Sequence, residues 1–154
     1  MNEQELQELV ELLSIKYFGR KFKHQVKINR RMTTTGGRYH LNDHHLEINR
    51  HFLAPQYKHE LVGIIKHELV HYHLHLAKLG YRHSDWEFKT VLKQVGGLRY
   101  APDIGLRRHQ PVSYLYQCEF CKQKYARVRP INIAKYGCSK CRGHLKLIKM
   151  RSKK

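Results

Sequence analysis

The sequence predicts an α+β protein, with helices packed on a short antiparallel or mixed sheet and a small C-terminal module built on paired cysteines. Three observations carry this expectation. Two long stretches, one near the N-terminus and one over residues 55–78, space apolar residues helically, while the chain between them alternates with a period of two. All four cysteines fall after residue 117, as two CxxC pairs. Hydrophobic residues make up 41% of the 154, enough for one modest core plus a satellite module and far from a disordered composition.

In order along the chain, "QELQELVELLSIKYFG" places Leu6, Leu9, Val10, Leu13 and Tyr17 at helical spacing, and Gly19 ends the helix. "HQVKINR" alternates at Val26 and Ile28 and predicts a short strand. "TTTGGRYHLNDHHLEINRHFL" predicts strand, turn and strand, with Asn42-Asp43 at the turn and "LEIN" returning. A long helix follows from Pro55 to Lys78, with proline suited to its first turn and Gly80 to its stop. "HSDWEFKTVLKQVGG" starts another helix, where Ser84 and Glu87 have capping-box spacing and Gly96-Gly97 supplies the end. "GLRYAPDIGLRRHQP" has no periodicity. The expected organisation is therefore a domain over 1–97, a linker over 98–111, a cysteine module over 112–150 and a basic tail over 151–154.

Thirty Lys+Arg against twelve Asp+Glu give a formal charge of +18, which attracts polyanions. The excess is uneven. Residues 1–97 carry 15 basic and 10 acidic side chains, whereas residues 98–154 carry 15 and 2. A solubility role suits the first part and fits the second poorly, so DNA or another nucleic acid is the expected partner of the C-terminal region. The N-terminus "MNEQELQELVELL" is acidic and amphipathic, unlike a secretory signal, and no apolar run approaches a membrane span. With cysteines only in CxxC pairs, the expectation is a cytoplasmic protein that uses them for metal and does not contact membranes.

The chemistry concentrates in "GIIKHELVHYHLH". In "HELVH", His67 and His71 are four apart and share one helical face, so two imidazoles can meet one Zn²⁺ at roughly 2.0–2.1 Å each. Glu68 lies beside the first of them, where its carboxylate can accept a proton from water. A solvated histidine-rich face is the bland alternative, but Leu61, Ile64, Ile65 and Leu69 make the rest of this helix core-like. A catalytic zinc takes three protein ligands. His75 is too far for a shared ion, since eight helical residues put it ~12 Å from His67. His73 points away from that face. Together with His59, these two histidines are expected at the surface or behind the ligands. The third ligand must come from chain that folds back: His83 is the best candidate, Glu87 the runner-up, and Glu87 otherwise caps its helix or orients a ligand.

These motifs resemble the SprT-like zinc metalloproteases, relatives of the Spartan proteases. The likeness runs from "LEIN" through "HELVH" and "GYRHSDWEFK" to the cysteine pairs. It implies a small zincin-type domain with His67, His71 and His83 on a catalytic zinc and Glu68 as general base. That family often has Gly-His-x-Pro-x-Phe/Trp around the third ligand; here Arg82 precedes the histidine and Asp85 stands at the proline position, while Trp86 and Phe88 keep the aromatic character. The resemblance further implies proteolysis of DNA-associated or crosslinked proteins.

"CEFC" and "CSKC" give C-x₂-C-x₁₆-C-x₂-C, the pattern of a zinc ribbon in which Cys118, Cys121, Cys138 and Cys141 hold a structural Zn²⁺. A redox role would need βαβ surroundings that the sequence lacks. Basic residues alternate with Tyr114, Tyr116, Phe120, Tyr125 and Tyr136, so phosphates and unpaired bases could both be contacted there. Some of these rings must fill the ribbon's own core. Two functions emerge: a zinc endopeptidase with a nucleic-acid-directed ribbon, or a nucleic-acid-binding module whose metals are structural. Metal storage explains neither Glu68 nor the Cys₄ spacing. For an oxyanion-stabilising group, Tyr81, Arg82 and a backbone N–H stand as equal candidates.

Overall fold

The computed structural model describes residues 1–106 and 110–150. The tail 151–154 and residues 107–109 of the expected linker lie outside the described residues. The chain divides into two compact units, Met1–Arg107 and Arg108–Lys154, and the described residues form an α+β architecture with three α-helices and two small sheets.

In the first unit, α1 (Glu3–Phe18) begins at Asn2, whose side chain accepts the Glu5 N–H while the Glu5 carboxylate accepts the Asn2 N–H. This reciprocal cap satisfies two otherwise orphaned donors. The helix stops at Gly19, which takes the left-handed conformation at φ 63°. Strands β1 (Val26–Asn29), β2 (Gly37–Tyr39) and β3 (Leu46–Asn49) form a mixed sheet in the order β1-β3-β2. β3 runs antiparallel to β2 and parallel to β1. Gln7 fastens α1 to β1: its amide donates to His24 O, and its carbonyl accepts the Val26 N–H.

The long helix is shorter than its periodicity suggested. Pro55–Tyr57 forms a 3-10 turn, and α2 runs Lys58–Leu76. Pro55 opens that turn, where its missing N–H would have had no acceptor in any case. α2 is buried nearly all round between Gly63 and Val70, so it is a central helix with two packed sides. Leu61, Ile64, Ile65, Leu69 and Tyr72 join α1 and the sheet in one core; Val70 and Leu74 meet Phe88, Leu92 and Val95 of α3 (Trp86–Val95) in another. The cap of α3 differs from expectation. Asp85 takes the N-cap position and turns its carboxylate back to accept the Arg82 N–H and the Ser84 hydroxyl, so no Ser84–Glu87 box forms.

His73, expected at the surface or behind the ligands, is buried, and its partner is Ser14 rather than a ligand histidine. Ser14 Oγ donates its one proton to Arg20 O, so at 2.8 Å it accepts from Nε2–H of His73. Burial, with Arg20 adding repulsion, lowers the His73 pKa to about 4. An unfolded histidine titrates near 6.5, so the unfolded chain takes up a proton that the fold refuses. Stability must therefore fall as pH drops from about 6.5 towards about 4. The denaturant midpoint of the metal-loaded protein should decline across this window, and less steeply in His73→Gln.

The second unit is a three-stranded antiparallel sheet ordered β5-β4-β6, from β4 (Tyr114–Cys118), β5 (Lys124–Arg127) and β6 (Leu145–Met150). Among the described residues its small core gathers Cys118, Cys138 and Leu145, with Cys121, Tyr125 and Ile131 packed on them, and Tyr116 is buried as well.

Candidate metal centre and active site

α2 presents His67 and His71 one turn apart, and the turn after Leu76 carries the chain back so that His83 meets them. The three Nε2 atoms stand 2.9, 3.0 and 3.1 Å from one another. Two backbone carbonyls fix the ring orientations: Leu98 O accepts from Nδ1 of His67 at 2.7 Å, and Tyr81 O from Nδ1 of His71 at 2.7 Å. With Nδ1 protonated, both Nε2 atoms are left as lone pairs. Phe88 lies against all three rings, with centroids 4.4–5.2 Å away.

This donor set fits a divalent ion. Burial lowers the pKa of His67 and of His71 to about 4, with His83 adding repulsion, while the carbonyl acceptors partly oppose the fall. Burial, then Arg99, lowers His83 as well. All three are thus neutral near pH 7, as metal ligands must be. The lone pairs on His67 and His71 converge on His83 Nε2, and nitrogens sharing one tetrahedral ion at about 2.0–2.1 Å lie about 3.3 Å apart, close to the spacing seen here. Glu87 is not part of the cluster; its carboxylate covers Gly80, where a Cβ would strike it.

Glu68 sits in the same cleft as the three histidines, a cavity of about 550 Å³ also bordered by Tyr39, Tyr81 and Arg82. It is buried against the sheet. A Cβ on Gly37 would lie 2.9 Å from Glu68 Cγ and 3.0 Å from Oε1, so glycine there leaves room for the carboxylate. Burial pushes its pKa up to about 8, against a hydrogen bond from the Tyr39 backbone and the charge of Arg38. With no cation nearby the neutral acid is therefore favoured at pH 7; a divalent ion on the three histidines would favour the carboxylate, which could then accept a proton from water.

The stretch after Gly97 takes part in this site. Leu98 N–H donates to Gly63 O, and a Cβ on Gly63 would approach Leu98 Cγ to 2.5 Å. Gly63 thus lets Leu98 lie on α2 and offer its carbonyl to His67. Leu98, Ala101 and Ile104 pack on the first unit's core. Of the remaining α2 histidines, His59 is exposed and His75 gives Nδ1 to the Tyr39 hydroxyl at 2.7 Å.

In the second unit, the sulfurs of Cys118, Cys121, Cys138 and Cys141 all lie within 4.8 Å of one another. The two knuckles match: Lys122 N–H donates to Cys118 O and Arg142 N–H to Cys138 O, with Lys122 and Arg142 both left-handed at φ 60° and 59°. Gly143 leaves the space beside the tetrad, since a Cβ there would lie 3.2 Å from Cys118 Sγ and 3.3 Å from Cys141 Sγ. Four thiols this close do not ionise together without a cation. The Tyr125 hydroxyl, 3.0 Å from Cys138 Sγ, leads in drawing Cys138 down to about 6. Against the Gln123 backbone, burial and the other three sulfurs push Cys121 up to about 11. A divalent ion removes this conflict. Tyr116 is buried and its hydroxyl accepts the Ile131 N–H, so it serves the fold and is no stacking surface; Phe120 and Tyr136 are exposed.

The SprT-like family model matches residues 6–110. The chain belongs to the SprT-like family. Curated relatives called Protein SprT-like match nearly end to end. One from Bacillus cereus (strain 03BB102) is 47% identical over 152 residues, covering 99% of this chain and all of its own. One from Bacillus velezensis is 45% identical over 148 residues, covering 96% and 99%, and one from Lactiplantibacillus plantarum is 46% identical over 148, covering 96% and 100%. No solved structure is a significant match. The SprT-like match takes in all three clustered histidines and Glu68, and the full-length relatives extend it through the four cysteines. Among the described residues no helix is long and apolar enough to cross a membrane.

Proposed function

We propose that this SprT-like protein is a zinc-dependent endopeptidase with a zincin-type catalytic domain, acting on DNA-associated or crosslinked proteins in the cytoplasm. The observation that carries the proposal is a buried, basic Glu68 in one cleft with three converging histidine Nε2 atoms. Zn²⁺ held by His67, His71 and His83 would supply Lewis acidity, making water nucleophilic and polarising the scissile carbonyl. Glu68 accepts the proton of the attacking water and returns it to the leaving amine. Leu98 O and Tyr81 O hold the ligand rings in place, and Phe88 closes off solvent behind them. Tyr81 and Arg82 both border the cleft, where either could face a developing oxyanion.

A second Zn²⁺ on Cys118, Cys121, Cys138 and Cys141 would be structural. The small core of that unit holds one leucine and few rings, worth about 1.5–3 kcal/mol per large side chain. Zinc binding of about 10–16 kcal/mol is the larger contribution to its folding. The nucleic-acid arm rests on the basic excess of residues 98–154, the exposed Phe120 and Tyr136, and the likeness to Spartan proteases.

Truncation tests both arms. Because Leu98 and Ile104 belong to the first unit's core, the cut belongs after Leu106 and not at Gly97. The shortened protein should still hydrolyse an unfolded protein yet bind DNA more weakly, with a flatter dependence of log K on log salt. Each lost phosphate contact removes about 0.9 from that slope on duplex and about 0.7 on single strands. An unchanged slope would remove the ribbon from nucleic-acid binding.

A further inference from the structure

The turn joining β2 to β3 carries a cluster that the catalytic reading does not use. Glu47 lies on β3, and His45 stands just before that strand, two positions away, with its ring turned towards the Glu47 carboxylate. His40, at the other end of the turn, donates its backbone N–H to His45 O. The two imidazoles stack with centroids 4.0 Å apart and planes 9° from parallel. One donor atom from each of His40, His45 and Glu47 can be chosen so that all lie within 4.8 Å. His45 Nε2 is 4.0 Å from Glu47 Oε1, and His40 Nε2 is 3.2 Å from Glu47 Oε2.

The groups around these donors are arranged as around metal ligands. Asp43 Oδ1 lies 2.6 Å from His45 Nδ1, holding the proton there and leaving Nε2 as a lone pair. A carboxylate behind an imidazole is the recurrent support for a metal-bound histidine. Asn29 Nδ2 donates to Glu47 Oε2 at 3.0 Å and fixes that carboxylate. His40 Nε2 is buried, and its contact with Glu47 Oε2 at 3.2 Å falls outside good hydrogen-bond geometry, which leaves the nitrogen poorly satisfied. The side chains of His40 and Glu47 remain partly accessible, so an ion can enter from solvent.

We propose that His40, His45 and Glu47 form a third divalent-metal site, separate from the histidine triad and the cysteine tetrad. Two imidazoles and one carboxylate suit a borderline transition ion, with Zn²⁺ the natural occupant. The ion would join both ends of the turn and stiffen the hairpin in which Gly37 and Tyr39 meet Glu68. The competing arrangement is a protonated His40 paired with Glu47 and no ion.

Zn²⁺ uptake by the full-length protein distinguishes them, measured by calorimetric titration after the tightly held metal has been loaded. Wild type should bind one equivalent more than the His40→Gln/His45→Gln double variant. Asp43→Asn keeps all three donors and should weaken that equivalent about 10–100-fold. This second variant decides the matter should the double variant fold poorly. Equal uptake by wild type and a folded double variant overturns the site, as does unaltered affinity in Asp43→Asn.

Discussion

Glu68→Gln should lose peptide hydrolysis by at least about 10²–10⁴-fold, the usual range for removing a positioned general base, while keeping its metal and its fold. The substitution preserves size, so the close approach of Gly37 to this side chain is unchanged. It removes a group whose burial already holds it mostly protonated near neutrality when no cation is present, so the core loses no paired charge. The amide cannot accept a proton from water. Measuring hydrolysis, zinc content and thermal unfolding on the same preparation separates the possibilities: wild-type turnover removes Glu68 from the chemistry, and loss of metal would make it a ligand.

His83→Ala should release one of two tightly held zinc ions. Its Nε2 closes the triangle at 2.9 and 3.0 Å from the other two, and a site left with two imidazoles loses most of its affinity. The cysteine tetrad uses none of these atoms, so it should keep its ion. Glu87→Ala and His75→Ala should each retain both, because Glu87 covers Gly80 and His75 binds the Tyr39 hydroxyl. Metal analysis of reduced, buffer-exchanged protein gives the count. Retention by His83→Ala together with loss from Glu87→Ala would transfer the third position to the carboxylate.

The parts legible in the sequence are those written in periodicity and spacing. Helical period marked α1 and α2, four-residue spacing placed His67 and His71 on one face, and the CxxC pairs marked the tetrad. The turn after α2 brings His83 back to them, as a third ligand from returning chain requires. What stayed hidden depends on backbone and partner choice. The carbonyls of Leu98 and Tyr81 have no side-chain signature; the one local trace of the Leu98 approach is the glycine at 63 in an otherwise apolar helical run. Period-two alternation marks a strand without its neighbour, so the parallel pairing of β1 with β3 was not visible. The place of His73, expected at the surface or behind the ligands, stayed hidden because its partner, Ser14, is 59 positions away. Asp85 holds the N-cap position in place of Ser84, with its carboxylate turned back to the Arg82 N–H rather than onto the helix. Tyr116 and its neighbouring rings read alike until packing sent Tyr116 inward.

The most direct measurement is cleavage of a DNA-binding protein by the zinc-loaded full-length chain, with and without DNA, beside Glu68→Gln. Fragments should appear with the wild type, faster when DNA holds enzyme and substrate together, and be absent with the variant. No cleavage by the zinc-loaded wild type under either condition, or equal cleavage by Glu68→Gln, would contradict the peptidase.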